Sequence, residues 1–216
     1  MQHTRPFTRL AESHTPFAAK GARLRIFGVI LAGGQARRLG GADKALVDLA
    51  GQPMLTYVVR RFSPQVEDLA LSANGDPARF ATYNLTVLAD DMAQGPLSGI
   101  LQALLWAAAY HATAVVSVPV DGPFLPPDLV PRLCLAAEPS GLALAASNGT
   151  WHPTYGLWPV TLAPALRTFL ASGAKARVRD FAVLHKTGIA DFPQDLAFAN
   201  ANTPEDIARL TALVSP

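Results

Sequence analysis

The stretch that decides the fold reads Ile26-Phe27-Gly28-Val29-Ile30-Leu31-Ala32-Gly33-Gly34-Gln35-Ala36-Arg37-Arg38-Leu39-Gly40-Gly41-Ala42-Asp43-Lys44. Its first seven residues are apolar, partly β-branched, and end at a glycine pair. A short run of that kind reads as a buried strand. From Leu31 to Lys44 the chain then carries four glycines and four charged side chains. Glycines let the backbone turn and approach a ligand closely, so that N–H groups can surround phosphate oxygens. Arg37, Arg38 and Lys44 bring charge suited to a polyphosphate. No Gly-Lys-Ser/Thr follows, so this is not a Walker A loop, and the Gly-x-Gly-x-x-Gly dinucleotide spacing is absent. The run predicts a phosphate-binding turn directly after the first strand.

Outward from this turn the pattern alternates. Strands are expected at Val66–Ser72, Leu85–Ala89, Ala114–Val118, Leu142–Ala146, Thr154–Trp158 and Val183–Ile189. Helices are expected at Met54–Phe62, Asp76–Tyr83, Pro96–Tyr110, Pro127–Ala137 and Leu162–Ala171, with a last one opened by Thr203-Pro204-Glu205. Pro96–Tyr110 is the clearest, with Leu97, Ile100, Leu101, Leu104, Leu105 and Ala108 on the i, i+3, i+4, i+7 stripe. Thr203 would cap the last helix and Pro204 would take its first position. This alternation predicts an α/β fold, a single Rossmann-like domain with a mostly parallel central sheet and helices on both faces. The domain is expected over residues 26–216, with no repeat or linker inside it.

Composition narrows the class. The chain has 216 residues, half of them hydrophobic and only 16% charged, against roughly 25% charged in an average domain. That excludes a disordered chain. The apolar runs are far shorter than the ~20 residues that span a bilayer. The single cysteine, Cys134, allows no internal disulfide and sits in an apolar context that reads as core; it points to a reducing, cytoplasmic compartment. Residues 1–25 hold five basic groups and one acid, whereas residues 26–216 hold 13 basic and 15 acidic groups. The first segment therefore reads as a disordered basic extension, and the body gives no sign of nucleic-acid or membrane binding.

In such a sheet, ligands bind outside the carboxyl ends of the strands. After the second strand come Ser72 and Asn74, which suit a nucleobase edge or a plain turn. After the third come Asp90 and Asp91, able to stabilise a helix start or to contact a base, ribose or metal ion. After the fourth comes Asp121, framed by prolines. One carboxylate suffices for Mg²⁺ when phosphate oxygens complete its shell, and a turn aspartate is the plain alternative. Near the end, Asn200 and Asn202 precede a helix that Thr203 alone could cap. His152 reads as structural or pocket-lining. Lys175, Arg177 and Arg179 form a basic cluster that fits an anion or a solvated face.

The run Leu31–Lys44 closely resembles the phosphate-binding signature of the MobA-type molybdenum cofactor guanylyltransferases. Further markers follow in that family's order: Gly95-Pro96-Leu97-Ser98-Gly99, then Asp121 with Pro123-Phe124-Leu125-Pro126, His152-Pro153, and Asn200 to Asp206. The resemblance covers residues 26 to about 212. It implies an Mg²⁺-dependent nucleotidyltransferase that moves GMP from GTP onto the terminal phosphate of the molybdopterin cofactor, releasing pyrophosphate. It implies nucleotide contacts from the backbones of Leu31, Ala32, Gly33 and Gly34. Lys44 and Arg38 would meet phosphates, Ser72, Asn74 and Asp90 the nucleoside, Asp121 the metal, and Asn200 and Asn202 the pterin side. It also implies a molybdenum-insertion protein and apo-molybdoenzymes as partners. Gly122 departs from the pattern, since threonine is usual there. Ser72 departs as well, with the expected Asn two residues later. Cytidylyl transfer to the same cofactor, and a non-catalytic molybdopterin or nucleotide carrier, are the alternatives.

Overall fold

The computed structural model describes residues 24–33, 43–90, 94–138, 140–173, 177–193 and 195–214. Gly34, Arg37, Arg38, Asp91 and Lys175 lie outside the described residues, as does the expected basic extension up to residue 23. Arg25, counted above with that extension, is tied to the domain. Its backbone N–H donates to Thr113 Oγ1 at 3.0 Å and its guanidinium to the Tyr110 carbonyl at 2.8 Å.

In chain order the strands are β1 (Ile26–Leu31), β2 (Asp48–Leu49), β3 (Gln52–Pro53), β4 (Asp68–Ser72), β5 (Thr86–Leu88), β6 (Ala114–Pro119), β7 (Ala143–Ser147), β8 (Thr150–Pro159) and β9 (Gly188–Asp191). The helices are α1 (Met54–Phe62), α2 (Pro96–Ala109), α3 (Leu129–Ala136), α4 (Ala163–Ala171), α5 (Val178–Leu184) and α6 (Pro204–Val214). Seven strands form one sheet in the order β5-β4-β1-β6-β8-β7-β9, and β2 and β3 form a small hairpin. Only β8 runs against its neighbours β6 and β7 in the large sheet; the other pairings are parallel.

Strand β1 has β4 on one side and β6 on the other, so the strand order reverses there and a crevice opens at their carboxyl ends. Register brings those ends level: Leu31 lies opposite both Ser72 and Pro119. The sheet is covered on both faces. Ile30, Val116 and Val118 pack with Leu55, Val58 and Phe62 of α1 and with Leu129 and Leu133 of α3. Phe27, Val29 and Val115 pack against α2, α4 and α5. Burial on two faces explains the near-continuous apolar strands.

The structure corrects several element readings. Leu105 and Ala108 lie on the solvent side of α2, and Ala103 and Ala107 complete its buried face instead. Val183–Ile189 is not a strand. Phe181 and Ala182 turn inward as part of α5, Val183 and Leu184 are exposed, and pairing begins only at Gly188. β8 starts at Thr150 rather than Thr154, because Trp151 and His152 pair with Ala146 and Ala145. Its pairing partner then jumps from His152 to Gly156 while β7 advances one residue, from Ala145 to Leu144. Pro153, Thr154 and Tyr155 form the resulting bulge, where a proline costs no ladder hydrogen bond. The bulge is held from β6, since Ser117 Oγ donates to the Thr154 carbonyl at 2.9 Å and accepts from Trp158 Nε1 at 2.9 Å.

Candidate active site

The crevice is an open cleft of about 740 Å³, lined by Leu31, Gly33, Lys44, Ser72, Asn74, Asp90, Asp121, Asn200 and Asn202 together with the start of α2. With Thr154 of β8, eight described chain segments contribute to one space. The sequence-predicted residues that fall within the described chain are brought together, except that Ala32 is buried just behind the wall.

Lys44 is the hub. It opens a short 3-10 turn, Lys44–Leu46, whose cap is Asp43; the Asp43 side chain accepts from the Ala45 N–H at 3.1 Å. From there Lys44 Nζ donates to Asp121 Oδ2 and to Asn202 Oδ1, each at 2.6 Å. Both members of the ion pair are largely shielded, with side-chain exposures of 14% and 19%, so the attraction is screened less than at an open surface. Asp121 follows the end of β6. Its carbonyl accepts from the Ala201 N–H at 2.9 Å, which fastens the Asn200–Asn202 segment beside it. That segment is also set by a capping box: Asp206 Oδ2 accepts from the N–H groups of Asn202 and Thr203, and Thr203 Oγ1 accepts from the Asp206 N–H. The N–H of Asn202 is the foremost of the groups that hold the Asp206 carboxyl below the usual range.

The ammonium on Asp121 Oδ2 is a stand-in cation and shows that this oxygen can serve a positive charge from the cleft side. Among the described residues no group of three or more His, Cys, Asp or Glu is placed to hold a metal ion. An ion here would depend on one carboxylate, with phosphate and water oxygens completing the shell, which is how Mg²⁺ is usually held.

The opposite wall is built from the ends of β4 and β5. Asn74 Oδ1 accepts from the Asp90 N–H at 2.8 Å, and Ser98 Oγ donates to Asp90 Oδ2 at 2.5 Å. Asp90 is therefore aimed from two sides. Ser72 is buried under the first turn of α2: a Cβ at Gly99 would sit 2.6 Å from Ser72 Oγ, so only glycine lets the helix come this close. Asn74 is exposed to the cleft, unlike Ser72.

Sequence reading missed Arg79. Its Nε donates to Asp43 Oδ2 at 2.6 Å, and its two other nitrogens donate to the carbonyls of Asp76 and Asn74. One guanidinium thus ties the Asn74 turn to the residue that caps Lys44. The fork of donors makes this an arginine task, and the only sequence signal was an arginine soon after the Asn-Gly-Asp turn.

Tyr155 was missed as well. It is buried, with its ring edge-on to Phe198 at 4.9 Å, and Phe198 in turn stacks on His152 at 4.2 Å. His152 shares a 2.7 Å hydrogen bond with Ser147, so it serves as a strut behind the Asn200 segment. A Cβ at Gly122 would fall 1.6 Å from Tyr155 Oη. The missing side chain at position 122 therefore makes room for the phenol. Of the basic cluster, Arg179 lies over the Trp151 ring at 5.0 Å, and neither it nor Arg177 is among the described residues that line the cleft. Cys134 packs against the core, where burial pushes its thiol pKa up.

A doubly wound sheet that gathers a lysine, two aspartates and three asparagines at its switch point is the architecture of a nucleotidyltransferase. The chain belongs to the MobA-like NTP transferase family, whose domain model matches residues 28–186. It is 54% identical over 191 residues to a Cereibacter sphaeroides protein named molybdenum cofactor guanylyltransferase, covering 88% of this chain and 98% of that one. It is 48% identical over 197 residues to a protein of the same name from Bradyrhizobium sp. (strain ORS 278), covering 87% and 92%. The crystal structure of molybdopterin-guanine dinucleotide biosynthesis protein A from Archaeoglobus fulgidus shares the fold, with a TM-score of 0.69 at 20% identity over 87% of this chain and 97% of that one. Nucleotidyltransferases of this kind generally use a divalent metal ion. No helix among the described residues is long and apolar enough to cross a membrane.

Proposed function

We propose that this chain transfers GMP from GTP to the terminal phosphate of the molybdopterin cofactor, releasing pyrophosphate, with Mg²⁺ held by Asp121. The observation that carries the reading is the position of Lys44, whose ammonium touches both Asp121 and Asn202 between the two walls of the cleft. The wall of Asn74 and Asp90 suits guanine. The Asn74 amide NH₂ can donate to O6, and the Asp90 carboxylate can accept from N1–H and the exocyclic amine. Adenine and cytosine present the reverse order on that edge. Ser72 supports this wall from below. The wall of Asn200 and Asn202 is left for the pterin.

The reaction joins two anions. A monoester oxygen of the acceptor attacks the α-phosphorus, the bridge to the β-phosphate breaks, and pyrophosphate leaves with the electron pair. Repulsion and misalignment are the obstacles, so charge and positioning are the remedies. Held by Asp121, Mg²⁺ would supply positive charge to offset that of the phosphates. Lys44 exchanges its protein partners for phosphate oxygens, helped by Arg38. The backbones of Leu31, Ala32, Gly33 and Gly34 seat the nucleotide. No protein nucleophile is required.

In this reading the enzyme works in the cytoplasm without nucleic acid or membrane. It takes its acceptor from a molybdenum-insertion protein and passes the product to apo-molybdoenzymes. The test is pyrophosphate release with Mg²⁺, molybdopterin cofactor and GTP, CTP or ATP in parallel. Release with GTP alone is expected. Release with CTP instead overturns the base assignment, and cofactor binding without release from any of the three makes the chain a carrier.

A further inference from the structure

Two buried oxygens beside the cleft lack partners. Asp121 Oδ1 and Tyr155 Oη are both shielded from solvent, and neither makes a hydrogen bond among the described residues. An ionised carboxylate oxygen only accepts, whereas a phenol can donate. Tyr155 Oη abuts Gly122, the residue after Asp121: a Cβ there would lie 1.6 Å from Tyr155 Oη and 3.7 Å from Asn200 Oδ1. The phenol is brought to this place by the bulge in β8, a feature that often re-aims a side chain next to an active site. Phe198 and His152 then hold its ring. A phenol carries its hydrogen at neutral pH and can donate it. A buried donor and a buried acceptor each left without a partner are costly until they are paired.

We propose that Tyr155 is a positioning residue for Asp121: once Lys44 has moved onto phosphate, the Tyr155 hydroxyl donates to Asp121 Oδ1 and keeps Oδ2 turned toward the cation. This rests on the reading that Asp121 holds the metal ion. A neutral donor fixes the rotation of the carboxylate without cancelling its charge. A hydrogen-bond partner behind a metal-holding carboxylate acts in the same way in other metal sites.

The test uses the full chain with Mn²⁺ as probe, read by electron paramagnetic resonance with GTP present and no acceptor, so that no turnover is needed. Tyr155→Phe keeps the ring and removes the hydroxyl. Mn²⁺ affinity should fall by ~10-fold or more, the scale of a lost outer partner. The thermal midpoint should hold or rise, because an unpaired buried group has gone. Tyr155→Leu, which removes the ring as well, should lower both the affinity and the midpoint, and so separates a lost hydroxyl from lost packing. Affinity for Tyr155→Phe within about twofold of the unaltered protein overturns the proposal. So does a loss of affinity in Tyr155→Phe that accompanies a lower midpoint, since packing and not the hydroxyl is then the cause. Asp121→Asn is the control. If it binds Mn²⁺ as tightly as the unaltered protein, the cation assignment fails rather than the role of Tyr155.

Discussion

Lys44 and Asn202 stand 158 residues apart in the chain, yet Lys44 Nζ donates to Asn202 Oδ1 at 2.6 Å while holding Asp121 Oδ2 at the same distance. The ammonium therefore joins the carboxylate proposed for the metal to the amide proposed for the pterin. It must give up these partners to reach phosphate. Lys44→Ala should lower kcat by ~10²-fold or more, the scale set by removing one preorganised charge. Lys44→Arg should not restore it, because a planar fork cannot replace a compact ammonium between two fixed oxygens. Asp121→Ala should fall by a similar factor. Pyrophosphate release from GTP at saturating cofactor measures all three, and a near-normal rate in either alanine variant contradicts the assignment.

Arg79 holds the Asn74 turn to Asp43, the cap of the Lys44 turn, but it does not line the cleft. Its effect should therefore appear in nucleotide binding rather than in the chemical step. Arg79→Met should raise the KM for GTP by about tenfold, the equivalent of ~1.4 kcal/mol of lost alignment, with kcat changed much less. Arg79→Lys should behave like Arg79→Met, since one ammonium cannot serve three acceptors. An unchanged KM in both variants removes Arg79 from the site.

What the sequence made legible follows a physical rule. Leu31, Asn74, Asp90 and Asp121 could be found because strand ends in a parallel sheet converge, so that local reading of each end locates the cleft. Arg79 was hidden because two of its partners are backbone carbonyls, which leave no trace in residue types. Tyr155 was hidden because its place depends on a bulge in an antiparallel strand and on the absence of a side chain at position 122. Val183–Ile189 misled for another reason. Its β-branched content favours a strand, but Phe181 and Ala182 bury a helical face there, and packing outweighs propensity. The β2–β3 hairpin was too short to leave a periodic signal.

Asp90 is aimed by Asn74 and Ser98, so under the proposed function base selection would rest on these three residues together. Asp90→Asn replaces an acceptor with a mixed donor and acceptor at the guanine N1–H. The preference for GTP over ATP, as a ratio of kcat/KM values, should shrink by ~10- to 100-fold, matching ~1–3 kcal/mol for one well-formed base contact. Ser98→Ala should shift the ratio in the same direction by less, because Asn74 still holds the Asp90 backbone. Competition assays with both nucleotides present give this ratio directly, and an unchanged preference in Asp90→Asn would move base reading elsewhere in the cleft.

Asp206 connects the stability of α6 to the geometry of Asn202. Its carboxylate accepts the N–H groups of Asn202 and Thr203 and pairs with Arg209 at 3.2 Å, and the resulting pKa lies below the ordinary aspartate value. A depressed carboxylate binds its proton less readily in the folded state than in the unfolded one. Its contribution is therefore fully present above the ordinary value of ~3.9 and is lost as pH falls through the lower folded value. Asp206→Asn should melt earlier than the unaltered protein at neutral pH, and the two melting curves should converge in acid. Thermal melts across that range decide the matter: a gap that stays constant down to the most acidic condition would show that the capping box depends on shape rather than on charge.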